Sequence, residues 1–188
     1  MGSADSITVE LVPDVTDDVR ILVGELDRLL SAEYAPEQRH GLALDAIFAP
    51  NIRFFLARLD GAAVGCGGVA FFADFAEVKR MYVCEVARGH GVAQALLARI
   101  EKEARDAGFS LLRLETGARQ LAALRFYQRA GFQICAAFGG YATMAPQAIA
   151  CFPPEAPLKI AGATPIRPLL RRSRMGRRFA GISPRSPL

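Results

Sequence analysis

The spacing of apolar residues changes from segment to segment along the first 150 residues of the chain. Apolar and polar side chains alternate over Ile7–Val12, which predicts a half-buried strand. Apolar side chains then recur every three or four residues between Val19 and Leu30, which predicts an amphipathic helix. By the same criteria, strands are expected at residues 53–59, 62–72, 75–83, 110–115 and 132–138, and helices from Pro36 to the residue before Pro50 and at residues 91–107 and 120–130.

Glycine-containing turns connect several of these segments. Asp60-Gly61 separates two strands and is typical of a hairpin turn. Gly65, Gly67 and Gly68 interrupt the returning strand, where glycine often marks a β-bulge or the close approach of another backbone. The helix at residues 91–107 joins two strands, so a βαβ crossover should make those strands parallel neighbours in a mixed sheet.

The most informative segment joins the strand that ends at Val83 to the helix that starts near Gly91. Gly89 and Gly91 lack a Cβ atom, so an anion can approach the main chain closely. Such a loop directs backbone N–H groups outward at the positive end of a helix, where they bind phosphate. Arg88 adds a permanent positive charge. The pattern alone is equally compatible with a strand-to-helix turn that binds nothing.

Three stretches of the sequence resemble the GCN5-related N-acetyltransferase (GNAT) superfamily. Arg88-x-x-Gly91-x-Ala93 fits the family signature Q/R-x-x-G-x-G/A, and Glu77–Val83 resembles the central strand. Ala123–Phe132 is similar to a later family segment, A-x-x-F-Y-x-x-x-G-F. The resemblance extends over Ile7–Ala150 and implies an α/β (α+β) fold. That fold is a mixed, mostly antiparallel twisted sheet with helices on both faces and a central βαβ unit that binds acetyl-CoA.

The resemblance also implies which residues contact acetyl-CoA. The main chain of residues 81–83 would meet the pantetheine arm, and the N–H groups from Arg88 onward would bind the pyrophosphate. Gln120 stands where many relatives have an asparagine that contacts the cofactor, and this departure puts that contact in doubt. His90 is expected to face solvent rather than to act in catalysis. The expected cofactor residues are Met81, Tyr82, Val83, Arg88, Gly89, His90, Gly91, Val92, Ala93, Gln94, Gln120 and Tyr127.

The family reaction needs a proton donor for the leaving thiolate of CoA, and no covalent enzyme intermediate. Tyr127 occupies the position of the family's usual general-acid tyrosine. Its alternative role is that of a packing tyrosine, because Leu124 and Phe126 nearby are core residues by their pattern. The resemblance therefore implies that Tyr127 is catalytic.

A base that deprotonates the amine is the second requirement of this reaction. Glu77 is the first candidate, because regular alternation would place it on the same strand face as Lys79, Met81 and Val83. Glu115, at the end of the next strand, is the second candidate. Either glutamate could instead be the structural partner of a nearby cation, and a chain of water molecules could do the same work.

Composition restricts the class of protein further. No apolar run is long enough to span a membrane, and the first residues lack the features of a signal peptide. The four cysteines show no spacing typical of metal ligands and are expected to be buried, reduced thiols. The sequence therefore predicts a cytoplasmic protein that holds no metal and does not associate with membranes.

Residues 151–188 differ in composition from the rest of the chain. They carry a net charge of +7 and seven of the eleven prolines, whereas residues 1–150 carry −3. We expect an acetyltransferase domain at 1–150 and an atypical or disordered Pro/Arg-rich tail at 151–188. One hypothesis is that this tail arose from an altered reading frame, and the alternative is a basic arm that contacts nucleic acid or an acidic membrane. Cys151–Glu155 would be a poor closing strand because two prolines cannot donate to a central ladder.

The sequence thus predicts an N-acetyltransferase that moves the acetyl group of acetyl-CoA to a primary amine of a small molecule or peptide. The attack would be direct, within a ternary complex. One alternative is a catalytically impaired acyl-CoA-binding module of the same fold. A weaker one is a nucleic-acid accessory protein that acts through the basic tail, although the acidic body does not favour nucleic-acid partners. A homodimer is compatible with the resemblance, and no motif identifies the acceptor.

Overall fold

The computed structural model describes residues 6–39 and 41–138, together with the backbone of residues 148–151. Within these residues the α-helices are α1 (Asp17–Glu33), α2 (Val92–Asp106) and α3 (Leu121–Arg129). The strands in the same residues are β1 (Ile7–Val12), β2 (Ile52–Leu59), β3 (Ala62–Phe71), β4 (Ala76–Val83), β5 (Leu112–Thr116), β6 (Gln133–Ile134) and β7 (Ala148–Cys151).

The strands form one sheet in the order β1-β2-β3-β4-β5-β7-β6. All neighbours are antiparallel except β4 and β5, which are parallel. Asp60 and Gly61 have φ angles of 50° and 86°, the two positive values that a tight hairpin turn needs. The predicted hairpin, the βαβ crossover and the mixed, mostly antiparallel sheet are therefore confirmed.

The ends of two helices follow from local sequence signals. Thr16 precedes α1, and its hydroxyl accepts a hydrogen bond from the Val19 amide at 3.3 Å. Gly108 follows α2 with a φ of 86°, the left-handed conformation in which helices commonly end. The predicted helices at these places are confirmed to within a few residues.

Each face of the sheet is covered by its own hydrophobic cluster. On the α2 face, side chains of β2 to β5 pack against α2 and α3, with Phe55, Val69 and Leu114 among the most buried. On the α1 face, Phe54, Leu56 and Cys66 pack against α1. Alternate residues of β2 thus enter opposite clusters, which fixes the register of the sheet.

Strands β4 and β5 separate towards their carboxyl ends. Their pairing covers Ala76–Val78 of β4 and Leu112–Leu114 of β5, although β4 itself continues to Val83. Within the described residues, the last five residues of β4 therefore have no strand partner on the β5 side. A gap of this kind exposes main-chain donors and acceptors to a ligand that lies along β4.

A β-bulge at Arg80 interrupts β4 next to this gap. Gly68 of β3 pairs with Lys79 of β4, and Cys66 of β3 pairs with Tyr82 of β4. Two steps on β3 therefore correspond to three steps on β4, which is a β-bulge. Arg80 lies in it and has a φ of 52°. The prediction that Glu77, Lys79, Met81 and Val83 share one face is therefore wrong. The extra residue reverses the alternation.

As a result, Met81 and Val83 pack with the cluster on the α2 face, whereas Tyr82 packs with the cluster on the α1 face.

The segment that follows α1 does not form the predicted second helix. In its described residues, 34–39 and 41–51, it contains two short 3-10 turns, Pro36–Gln38 and Ala46–Phe48. The intervening main chain binds the bulge instead, because the Leu42 carbonyl oxygen accepts a hydrogen bond from Arg80 Nε at 2.8 Å. A Cβ atom on Gly41 would lie 2.8 Å from Arg80 Cζ, so glycine allows this approach.

The end of the sheet also differs from the prediction. β6 is two residues long rather than residues 132–138, and the chain after it leaves the sheet, with Phe138 packed against Phe75 at a ring-centroid distance of 5.2 Å. The closing strand is β7, which pairs with β5 and β6 and precedes the proline-rich segment. The boundary predicted after residue 150 falls inside β7, and the predicted tail from residue 152 lies outside the described residues.

Two cysteines are free thiols, as expected. Burial raises the pKa of Cys66 to about 12, so this thiol stays protonated. Cys84 is free and half-buried. Cys135 takes part in a disulfide, so the expectation of a reduced thiol there is wrong.

Among the described residues, no helix has the length and apolar character needed to cross a membrane.

We expect the Arg80→Ala substitution to lower the free energy of unfolding by about 1–3 kcal/mol, because it leaves the Leu42 carbonyl and Asp27 without their partner. Urea denaturation of the purified variant would measure this change. Lys102→Ala is the matched control, since it breaks an exposed ion pair with Asp106 and should cost less than about 0.5 kcal/mol. Equal, small losses for both variants would contradict the role of Arg80.

Candidate active site

The loop between β4 and α2 has the geometry of an anion-binding turn. Gly89 and Gly91 have φ angles of 88° and 87°, which side-chain-bearing residues rarely adopt. Gly91 immediately precedes α2, a helix of 15 residues, so the free N–H groups of its first turn point into the loop. Arg88 Nε contacts the Val83 carbonyl oxygen at 3.4 Å and holds the loop against the end of β4.

A groove of about 600 Å³ runs from this loop along β4 to α3. Its walls include the separated end of β4 on one side and the first turns of α2 and α3 on the others. Of the predicted cofactor residues, His90 is exposed and does not line the groove. Those that line it are Met81, Tyr82, Val83, Arg88, Gly89, Gly91, Val92, Ala93, Gln94, Gln120 and Tyr127.

A second, smaller cavity of about 150 Å³ lies between α1 and the sheet. It is bounded by the end of α1, the turn that follows it, the middle of β4 and the end of β5. The groove and this cavity share five lining residues and therefore meet. We call this meeting point the junction, and it is formed by Leu26, Met81, Gln120, Ala123 and Tyr127.

Tyr127 of α3 holds a protonated hydroxyl at the junction. Its side chain is 8% exposed, and its hydroxyl lies 3.4 Å from the sulfur of Met81. The rings of Phe126 and Phe132 pack edge-on against it and fix its orientation. Burial raises the pKa of Tyr127, so the hydroxyl keeps its proton at neutral pH and can donate it.

Two glutamates and one lysine form a cluster on the cavity wall, which we call the carboxylate cluster: Glu77, Lys79 and Glu115. Glu77 is 2% exposed, and its carboxylate accepts a hydrogen bond from Lys79 Nζ at 2.6 Å. Burial raises the pKa of Glu115 to about 7. The positive charge of Lys79 lowers the pKa of Glu115 and so opposes the effect of burial, whereas the negative charge of Glu77 raises it further.

These surroundings give the two glutamates different chemistry. Glu77 is a buried partner of Lys79, whereas Glu115 changes charge near neutral pH. A carboxyl group with that pKa can accept a proton from an amine and release it again. Of the two predicted bases, Glu115 therefore has the better environment for proton transfer.

The loop before α3 is anchored to the end of α1, which sequence reasoning did not predict. Arg119 donates from its guanidinium to the Glu33 carbonyl oxygen at 2.7 Å and from its amide to the Tyr34 hydroxyl at 2.9 Å. A Cβ atom on Gly117 would lie 2.1 Å from that hydroxyl. The Gln120 amide donates to the Glu33 carboxylate, so α1 positions a residue of the junction.

No local motif signals this anchoring, because the partners lie more than 80 residues apart and none belongs to a recognisable pattern.

Comparison with known proteins agrees with this geometry. Residues 23–132 match the model of the acetyltransferase (GNAT) family. The chain is 42% identical over 138 residues to an IAA acetyltransferase of Azospirillum brasilense. The aligned region covers 72% of this chain and 90% of that protein.

Solved structures show the same fold. A Klebsiella pneumoniae protein described as an acyl-CoA N-acyltransferase has a TM-score of 0.66 and 28% identity, over 81% of this chain and 98% of that one. The PaiA N-acetyltransferase of Thermoplasma acidophilum, in complex with coenzyme A, has a TM-score of 0.59 and 18% identity. This comparison covers 77% of this chain and 98% of that one. The protein therefore belongs to the GNAT family of acetyltransferases, as its motifs indicate.

Proposed function

We propose that the protein transfers the acetyl group of acetyl-CoA to the amine of a small molecule, by direct attack within a ternary complex. The observation that supports this most is the meeting of the groove and the cavity beside the Tyr127 hydroxyl. Two reactants held in these spaces would be adjacent at the junction, which removes much of the entropic cost of a bimolecular reaction.

The groove suits the parts of acetyl-CoA in order. The N–H groups around Gly89 and Gly91 would hold the pyrophosphate, and Arg88 would add a positive charge. The unpaired edge of β4 at Met81–Val83 would bond the amides of the pantetheine arm. Bound there, acetyl-CoA would present its thioester towards the junction, where the groove meets the cavity.

Tyr127 and Glu115 would handle the protons of the reaction. Starting from the neutral amine, the N–C bond forms and the C–S bond breaks. The nitrogen releases one proton to Glu115, and Tyr127 delivers one proton to the sulfur. The products are the amide and the thiol of CoA, and both side chains recover their starting states by exchanging that proton through solvent.

The size of the cavity restricts the acceptor. A cavity of about 150 Å³ is comparable to one that holds a benzene ring, so it suits a small amine or the terminal group of a longer one. Of the two acceptor types that the sequence leaves open, a small molecule could lie wholly within the cavity, whereas a peptide could place only its terminal amine there.

The first test of this function is binding of acetyl-CoA, measured by calorimetry with two matched glycine variants. Gly91→Glu places a carboxylate in the anion-binding loop and should abolish binding. Gly108→Glu introduces the same side chain at nearly the same φ, 86° against 87°, at the opposite end of α2, and should leave binding unchanged. Wild-type protein that is folded but binds no acetyl-CoA would contradict the proposal.

The second test is release of free CoA with a panel of small amines. Tyr127→Phe should lower kcat by about a hundredfold while acetyl-CoA still binds, because only the proton donor is lost. An unchanged kcat would refute the acid role of Tyr127. Tight binding of acetyl-CoA without CoA release from any amine would instead identify an acyl-CoA-binding module without catalysis.

The carboxylate cluster generates a prediction about pH. We expect kcat/KM to rise with pH through about 7, as Glu115 loses its proton, and Glu115→Gln should remove this rise. Glu77→Gln should move it to lower pH, because a neighbouring negative charge is lost. Lys79→Met should move it to higher pH, because a neighbouring positive charge is lost.

The pKa of Glu115 can be followed independently by carbon-detected NMR of the side-chain carboxyl. Shifts in opposite directions in the Glu77 and Lys79 variants would support Glu115 as the titrating base. A rise that survives in Glu115→Gln but disappears in Glu77→Gln would assign the base to Glu77 instead.

A further inference from the structure

We propose that the acceptor is a small amine that carries its own anionic group, a carboxylate or phosphonate, and that Arg39 binds this group across the cavity from Glu115. The inference rests on the proposed function, because it names the substrate class of the same site. Three observations carry it: the pairing of the charges in the cavity wall, the placement of Arg39, and the volume between the walls.

Most charged groups of the cavity are already engaged by the protein. Arg80 is held by the Leu42 carbonyl oxygen and by Asp27, and its side chain is only 7% exposed. Lys79 forms an ion pair with Glu77 at 2.6 Å. These cations shape the wall of the cavity but are committed to internal partners.

Arg39 is placed to bind an anion at the mouth of the cavity. It follows the 3-10 turn Pro36–Gln38 and is exposed. Within the described residues its guanidinium donates one hydrogen bond, from Nη1 to the Ser31 hydroxyl at 2.5 Å. A guanidinium has five N–H donors in a planar fork, so this bond leaves a pair of donors for a carboxylate or phosphonate. The bond to Ser31 restricts the side chain and so lowers the entropic cost of binding a ligand.

Glu115 lies on the other wall of the same cavity. Arg39 belongs to the wall formed by α1 and the turn after it, whereas Glu115 ends β5 in the sheet. One wall thus presents a cation and the other a carboxyl that ionises near neutral pH. An amine bearing an anionic group has the complementary charges at its two ends, and two-point binding would orient its nitrogen towards the junction.

The volume limits the distance between the two charges of the ligand. A volume of about 150 Å³ is the size of a cavity that holds benzene, a molecule of about six non-hydrogen atoms. Short amino acids such as β-alanine and short aminophosphonates such as 2-aminoethylphosphonate are of this size. Propylamine has the same amine and the same carbon chain as β-alanine but no anionic group, so it is the matched comparison.

The experiment measures binding and turnover separately on wild-type protein. β-Alanine, 2-aminoethylphosphonate and propylamine are titrated by calorimetry into protein saturated with CoA, and the same amines are assayed for CoA release from acetyl-CoA. We expect at least one acidic amine to bind at least about tenfold more tightly than propylamine, the least that a charge-assisted hydrogen bond provides. Equal affinity for all three amines, or no binding of either acidic amine, would overturn the proposal.

Variants of Arg39 locate the effect. Arg39→Gln should raise KM for the acidic amines at least about tenfold and should affect KM for propylamine much less, whereas Arg39→Lys should recover part of the loss. Arg28→Gln is the control, because it removes the same charge from an exposed position of α1 outside the cavity. An equal effect of the Arg39 and Arg28 variants, or an equal effect of Arg39→Gln on all amines, would contradict a direct contact.

The two proposals fail in different ways. If an acidic amine binds in an Arg39-dependent manner but releases no CoA, the acceptor site stands and the catalytic function falls. If CoA is released only with amines that lack an anionic group, the catalytic function stands and the assignment of Arg39 falls.

Discussion

Arg80 occupies the left-handed region of backbone conformation at a φ of 52°, and its own side chain holds it there. The guanidinium bonds the Leu42 carbonyl oxygen and Asp27, which ties the strand to α1 and to the segment after it. This conformation is costly for a residue with a Cβ atom, so the surrounding contacts must offset it. The bulge that results reverses the faces of β4 beyond this point and adjoins the gap between β4 and β5.

The arrangement of the candidate site follows from that constraint. Met81 and Val83 turn towards the α2 face and line the groove, while Glu77 and Lys79 stay on the α1 face in the smaller cavity. The two spaces meet at the junction, next to the irregular part of the strand. Tyr127 closes the junction from α3, so the proposed proton donor stands between the proposed positions of cofactor and acceptor.

The sequence predicted those parts of the molecule that depend on local pattern. Strand β1, the Asp60-Gly61 hairpin and the βαβ unit were predicted because alternation, turn chemistry and helical periodicity act over a few residues. The bulge at Arg80 was not predicted, since its cause is a contact with Leu42, 38 residues away. The alternation of β4 therefore gave the wrong face for Met81.

Similarly, the preference for Glu77 over Glu115 came from its position in the strand. Burial and ion pairing, which distinguish the two carboxyls, depend on packing that the sequence does not display.

The central claim is that the irregular, unpaired end of β4 binds the cofactor through its main chain. Hydrogen–deuterium exchange of the protein with and without acetyl-CoA tests it most directly. We expect acetyl-CoA to slow the exchange of amides in peptides that cover Lys79–Val83 and the loop to Gln94, and to leave the β2–β3 hairpin unchanged. Protection of the loop alone, with Lys79–Val83 exchanging as fast as in the free protein, would contradict this account.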